Sequence, residues 1–103
     1  MKIRQASVVD AARLYCWRMD KDAAAASIGP TPLSFAAHLK WLDDVLDNAN
    51  VDLWIGYDDQ RSVVVGFCRL DISDDIAAVS VAVDPQHRGG YGYASQLVAQ
   101  AIR

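Results

Sequence analysis

His87-Arg88-Gly89-Gly90-Tyr91-Gly92-Tyr93-Ala94 is the stretch of this 103-residue chain whose residue types and spacing could do chemistry. A strand that runs into a glycine-rich turn and then a helix aims several backbone N–H groups, and the positive end of the helix, at one point in space. Gly89, Gly90 and Gly92 carry no side chain, so the backbone can curl and oxygen atoms can approach its amides, while Arg88 adds a fixed charge. Such a cradle suits a pyrophosphate. The glycines alone fit an ordinary strand-to-helix turn equally well. The dinucleotide fingerprint fits worse, because Ser95 stands where its third glycine belongs. Asp84 to Arg88 also separate the strand from the turn, and the acidic residue due about 20 positions later is absent.

The flanking elements must position that turn. Ile76 to Val83 alternates as a strand that leads into Asp84-Pro85, and Ala94 to Arg103 reads as a helix with Leu97, Val98 and Ala101 on one side. Upstream, Val51 to Tyr57 and Ser62 to Asp71 are β-rich, separated by the turn-forming Asp58-Asp59-Gln60-Arg61. With the break at Ser73-Asp74-Asp75 they predict a three-strand antiparallel meander. Lys2 to Ala6 reads as a first strand, followed by the capping-box pattern Ser7-Val8-Val9-Asp10 and a helix of about three turns. Val9, Ala12 and Cys16, with Val8 and Tyr15 at the edge, are expected to bury one face of it. The alanines 23–26 extend the helical tendency until Gly29-Pro30-Thr31-Pro32 stops it. Thr31 is the expected N-cap of a second helix that buries Phe35, Leu39, Leu42 and Leu46 and ends near Asn48. The order β-α-α-β-β-β-α predicts one α/β (α+β) domain over residues 1–103, a mostly antiparallel sheet with helices packed on it.

Composition narrows the function. A 52% hydrophobic fraction with 22% charged residues describes a packed globular chain, and no apolar run approaches the roughly 20 residues needed to span a bilayer. The alternating N-terminus is not a secretory signal, which leaves a cytoplasmic protein as the expectation. A formal net charge of −3 argues against a nucleic-acid partner. Every acidic residue is Asp, so any carboxylate chemistry must use Asp. Cys16 and Cys68 have no metal-type spacing and are expected to be reduced packing residues.

Val81-Ala82-Val83-Asp84-Pro85-Gln86-His87-Arg88-Gly89-Gly90-Tyr91-Gly92-Tyr93-Ala94 resembles motif A of the GNAT superfamily of acyl-CoA N-acyltransferases, a strand followed by V-x-P-x-x-R-G-x-G-x-G/A and a helix. Ile3-Arg4-Gln5-Ala6, Trp17-Arg18-Met19-Asp20, His38-Leu39-Lys40-Trp41 and Val65-Gly66-Phe67-Cys68-Arg69 fall in family order, so the resemblance covers essentially the whole chain. Trp17-Arg18 and His38 to Trp41 are also similar to GNAT modules of bacterial surface-sugar pathways of the pseudaminic-acid type. The glycine run is one residue longer than the family spacing, which leaves open which amide meets which phosphate. In the family, the domain continues with another strand, a helix carrying a tyrosine that often acts as general acid, and closing strands. The resemblance therefore implies the N-terminal and central part of the domain.

That resemblance implies acetyl-CoA as acyl donor. The backbone of Val81, Ala82 and Val83 would pair with the pantetheine arm, and Arg88, Gly89, Gly90, Tyr91, Gly92, Tyr93 and Ala94 would hold the pyrophosphate. Trp17, Arg18, His38 and Arg69 would lie in the acceptor site, between the first two helices and the sheet. Core or rim packing for Trp17, a local ion pair for Arg18 and a satisfied structural role for His38 are the competing readings. No residue fills the role of base convincingly; Asp71 and Ser80 could relay a proton through water or simply be a solvated turn Asp and a sheet Ser. No metal site is expected. The implied function is acetyl transfer to a primary amine, possibly of an amino sugar; the alternative is a catalytically incomplete CoA-binding module that needs a further segment or a partner. The open edge of the last strand also predicts homo-oligomers.

Overall fold

The computed structural model describes residues 1–20, 32, 34–87 and 92–102. The expected helical tendency and stop within 21–31, and the Thr31 cap, lie outside them. β1 (Lys2–Gln5) leads through a 3-10 turn (Val8–Asp10) into α1 (Ala11–Met19). α2 (Phe35–Asp47) follows, then β2 (Val51–Asp58), β3 (Val63–Ser73), β4 (Ile76–Val83) and, after a second 3-10 turn (Pro85–His87), α3 (Tyr93–Ala101). The strands form one antiparallel sheet in the order β1-β2-β3-β4. The expected element order and the meander are both present.

Period-two alternation divides each strand between two cores. Leu53, Ile55 and Phe67 face α1 and α2, where they pack with Leu14, Trp17, Leu42 and Val45. Cys68 and Leu70 face the other way, onto Leu97 and Ala101 of α3. Phe67, Leu14, Leu42, Ile55 and Leu97 are fully buried, and each stabilises the fold by about 1.5–3 kcal/mol relative to exposure. Phe67 lies at the centre of the first core, where truncation to Ala costs about 3–5 kcal/mol.

The N-terminal box forms as expected. The Asp10 carboxylate accepts the Ser7 N–H at 2.9 Å and takes a two-pronged hydrogen bond from Arg4, Nη1 to Oδ2 at 2.8 Å and Nη2 to Oδ1 at 2.7 Å. β1 is thereby clasped to the start of α1.

The helix faces differ from expectation. Val8 and Val9 sit in the 3-10 turn, out of phase with the α-helix, and are 69% and 81% exposed. The buried face of α1 is Ala11, Leu14, Trp17 and Arg18, while Cys16 is exposed and is no packing cysteine. α2 is capped by Ser34, whose hydroxyl accepts the Ala37 N–H at 3.1 Å. It buries His38, Leu42 and Val45, and leaves Phe35, Leu39 and Leu46 exposed. The stripe is rotated because polar side chains with hydrogen-bond partners, His38 and Arg18, occupy the seam between the helices.

Candidate functional site

The site is built around the end of β4. Gly66 and Val83 are paired across β3 and β4. A Cβ at Gly66 would collide with the Ala82 carbonyl oxygen and reach 3.0 Å from the Val83 Cα, so the glycine lets β4 close tightly there. The Asp84 N–H then donates to the Val65 carbonyl at 2.7 Å. Asp84 caps the following turn in the manner favoured by Asp before Pro: its Oδ1 accepts the Gln86 N–H at 2.9 Å, and its carbonyl accepts the His87 N–H at 2.8 Å. Its other oxygen, Oδ2, accepts the indole N–H of Trp17 at 2.8 Å. Nδ1 of His87 is enclosed with no hydrogen-bond partner among the described residues.

Arg88, Gly89, Gly90 and Tyr91 lie outside the described residues. The chain resumes at Gly92, in the left-handed region at φ 67°, as the N-cap of α3. The first bond back into the helix runs from the Gln96 N–H to the Gly92 carbonyl at 3.2 Å, so the amides of the first turn precede the intrahelical ladder. Ala94 is exposed there, whereas Tyr93 is buried. The Tyr93 hydroxyl donates to Asp58 Oδ2 at 2.8 Å and accepts from Arg61 Nη1 at 2.7 Å, which fixes the start of α3 to the β2–β3 turn. The Tyr93 hydrogen bond holds Asp58 below the usual carboxylate range. The signal for this clasp was the Asp58-Asp59-Gln60-Arg61 turn, read from sequence only as a reverse turn.

Two hollows flank this region. A cleft of about 460 Å³ opens between Ala12, Cys16 and Trp17 of α1 and Asp84, Pro85 and Gln86. An apolar groove of about 540 Å³ runs between Val81 of β4 and Ala94, Val98 and Ile102 at α3.

Trp17, Arg18, His38 and Arg69 do converge on the α1–α2 side of the sheet. Trp17 lies against Phe67, ring centroids 5.7 Å apart. Arg18 Nη1 donates to His38 Nδ1 at 3.0 Å, and its guanidinium lies 4.1 Å from the Trp41 ring centre. Arg69 grips Asp71 through Nε and Nη2, with distances of 2.9–3.2 Å. Burial and the nearby Arg69 cation hold Arg18 below its usual value. The convergence is chiefly internal: Trp17, Arg18 and His38 are 3%, 3% and 0% exposed, while the Arg69 and Asp71 side chains reach 18% and 41%. Ala78 stands opposite Asp71, and Ser80 opposite Arg69, on β4. Among the described residues no cluster could hold a metal ion, and no helix is long and apolar enough to cross a membrane.

An antiparallel sheet whose last described strand leads into a capped turn, with a helix that starts at a left-handed glycine, is a mixed α/β scaffold that presents helix N-terminal amides at the end of the sheet. The Acetyltransferase (GNAT) family matches residues 11–103, and the chain belongs to it. No curated protein matches the sequence. Among solved structures, the fold is similar to spermidine N-acetyltransferase from Vibrio cholerae in complex with CoA and spermine (16% identity, TM-score 0.82, 98% of this chain and 60% of that one). It is also similar to a predicted acetyltransferase from Clostridium acetobutylicum solved with acetyl-CoA (15% identity, TM-score 0.66, 98% and 70%). A third similar structure is a transcriptional regulator from Bacillus halodurans (19% identity, TM-score 0.68, 98% and 71%). The chain spans about three fifths of the length of the Vibrio enzyme.

Proposed function

We propose that the chain supplies the acyl-CoA half of an N-acetyltransferase that moves an acetyl group from acetyl-CoA to a primary amine. The observation that carries this reading is the passage from β4 through the Asp84-capped turn to Gly92 and the first turn of α3, in a chain of the GNAT family. The residues fit the group: a left-handed glycine keeps side-chain atoms away from the first-turn amides, and the enclosed His87 Nδ1 offers one further polar atom beside the glycine run. Residues 88–94 would receive the pyrophosphate, Tyr93 through its backbone because its hydroxyl is taken by Asp58 and Arg61. The backbone of Val81, Ala82 and Val83 would run beside the pantetheine arm. Bound acetyl-CoA would supply the activated thioester.

The partly exposed Arg69–Asp71 pair, with Ser80 opposite Arg69, is the acceptor-facing chemistry on the α1–α2 side. Trp17, Arg18 and His38 act from beneath it by packing. The Arg69 guanidinium, paired with Asp71, offers hydrogen-bond donors that support an amine with oxygen-rich surroundings, such as an amino-sugar nucleotide. The protein works in the cytoplasm, where acetyl-CoA and such acceptors coexist.

A second reading is a CoA-binding module that is not catalytic by itself. It is supported by the burial of three of the four acceptor candidates. Calorimetry with CoA, paired with thioester-cleavage assays over amino-sugar nucleotides, polyamines and peptides, separates the two. Turnover fastest with the sugar nucleotide is expected; CoA binding without turnover on any amine favours the second reading, and no CoA binding defeats both.

A further inference from the structure

His38 is fully buried, yet both ring nitrogens are engaged. Nε2 lies 2.7 Å from the Ala11 carbonyl and Nδ1 lies 3.0 Å from Arg18 Nη1. A carbonyl only accepts and a guanidinium only donates. The proton therefore sits on Nε2, Nδ1 is the acceptor, and the ring is neutral. Ala11 and Arg18 are two helical turns apart on α1, and His38 spans them because the long Arg18 side chain leans back toward the helix N-terminus. The ring stacks on Trp41 at 5.5 Å and meets Tyr15 and Phe35 at 5.2 and 5.7 Å. α1 is thus fixed along its axis against α2.

Trp17, the neighbour of Arg18, carries the bond to Asp84. A slide or rotation of α1 by a fraction of a turn would separate the indole N–H from Oδ2, since hydrogen bonds weaken steeply with misalignment. We propose that neutral His38 is a positioning residue for the cofactor end of the site: by accepting from Arg18 it holds α1 where Trp17 stays on Asp84, at the mouth of the glycine run. A proton added at Nδ1 would face the Arg18 guanidinium directly and break that hold. The charged and titratable groups around the ring are Arg18 and Tyr15 from α1, with Arg69 of β3 acting on Arg18; all three oppose or ignore a second positive charge. Burial and the Arg18 cation accordingly keep the His38 pKa below its ordinary 6.5.

The inference rests on the CoA-binding reading for its functional consequence, but its geometry can be tested without it. His38→Asn keeps an acceptor oxygen at the Nδ1 position, whereas His38→Gln keeps a donor toward Ala11 and removes that acceptor. The readouts are the Trp17 indole N–H resonance, assigned with Trp17→Phe, and the CoA dissociation constant by calorimetry. We expect His38→Gln to shift the Trp17 resonance toward an unbonded position and weaken CoA about tenfold, the loss of roughly one charged hydrogen bond. His38→Asn should retain both parental values even though it too loses stability. In the parent, the resonance should move the same way only as pH falls well below the ordinary histidine value, because burial and the Arg18 cation hold the His38 pKa down, and in His38→Asn it should not. If both variants match the parent, or both shift equally, the positioning role is wrong. If the parent does not bind CoA, the cofactor reading fails while the Trp17 resonance still decides the inference.

Discussion

The indole N–H of Trp17 and the carboxylate of Asp84, 67 residues apart in sequence, meet at 2.8 Å and tie the first helix to the end of the last strand. Asp84 has its other oxygen on the Gln86 N–H and its own N–H on Val65, so one residue gathers α1, β3 and the turn that enters the glycine run. Trp17→Phe keeps most of the packing against Phe67 but removes the donor. It should lower stability by about 1.5–3 kcal/mol, the range for a hydrogen bond to a charged group. Urea unfolding of Trp17→Phe, Asp84→Ala and the double variant should give a coupling of about 1 kcal/mol or more. Strictly additive losses would show that the two residues act separately.

Gly92 sits at φ 67°, and among the described residues a Cβ there would meet only the Gln96 side-chain nitrogen, at 3.9 Å. Its replacement is therefore costly for backbone conformation rather than for space. Gly92→Val should cost about 1–2 kcal/mol of stability through the left-handed geometry. It should also weaken CoA, because the branched side chain stands over the first-turn amides of α3. Equal CoA affinity of variant and parent in calorimetry would remove Gly92 from the phosphate site.

Acid sensitivity should arise at the other end of α1. Burial alone would raise the pKa of Asp10, but the Arg4 hydrogen bonds and the Ser7 N–H outweigh it and the net direction is downward from 3.8. A lowered carboxylate contributes stability that is complete above the unfolded value and is lost as pH falls through the folded one. The loss should begin near pH 4 and continue below it. Asp10→Asn should be less stable at pH 7 by about 1–3 kcal/mol, a range reduced by the partial exposure of Arg4, and should lack this part of the acid slope. Parallel denaturation curves for parent and variant from pH 5 to pH 2.5 would contradict the assignment.

The strands were legible because each is half-buried and alternates, as in Ile76–Val83, and because Asp58 to Arg61 and Ser73 to Asp75 break the runs with turn chemistry. The Ser7 to Asp10 box was legible because its pattern is local. The helix faces were not. Counting apolar residues assigned Val8, Val9, Leu39 and Leu46 to the core, but the seam between α1 and α2 is filled by His38 and Arg18. These two can be buried because His38 accepts from Arg18 and donates to the Ala11 carbonyl while the Arg18 guanidinium lies over Trp41, contacts between residues 20 or more apart in sequence. The same holds for the cofactor end: the glycine run by itself fits an anion site and an ordinary turn equally well, while the contacts of Asp84 with Trp17 and of Tyr93 with Asp58 and Arg61 join residues distant in sequence. Trp17, Arg18, His38 and Arg69 lie on the α1–α2 side of the sheet. The burial of Trp17, Arg18 and His38 depends on packing between segments distant in sequence, which no local pattern displays.

β4 lies at the end of the strand order, with β3 on one side and no described strand on the other. Ile76 is 73% exposed and Val79 44%, and Ile72 on the adjoining strand is 40% exposed. The run Ile76–Val83 contains no lysine, proline or charge, the usual devices that keep an edge from pairing with another chain. The 103-residue chain should therefore associate in solution through this edge, most simply as a dimer in which two copies of β4 pair. Val79→Lys places a charge in the middle of the strand and should shift the population to monomer, at a modest cost in stability because Val79 is 44% exposed. Light scattering over a concentration series reads both states. A parent chain that stays monomeric throughout, or a Val79→Lys variant that associates as strongly as the parent, would show that the β4 edge is not the contact.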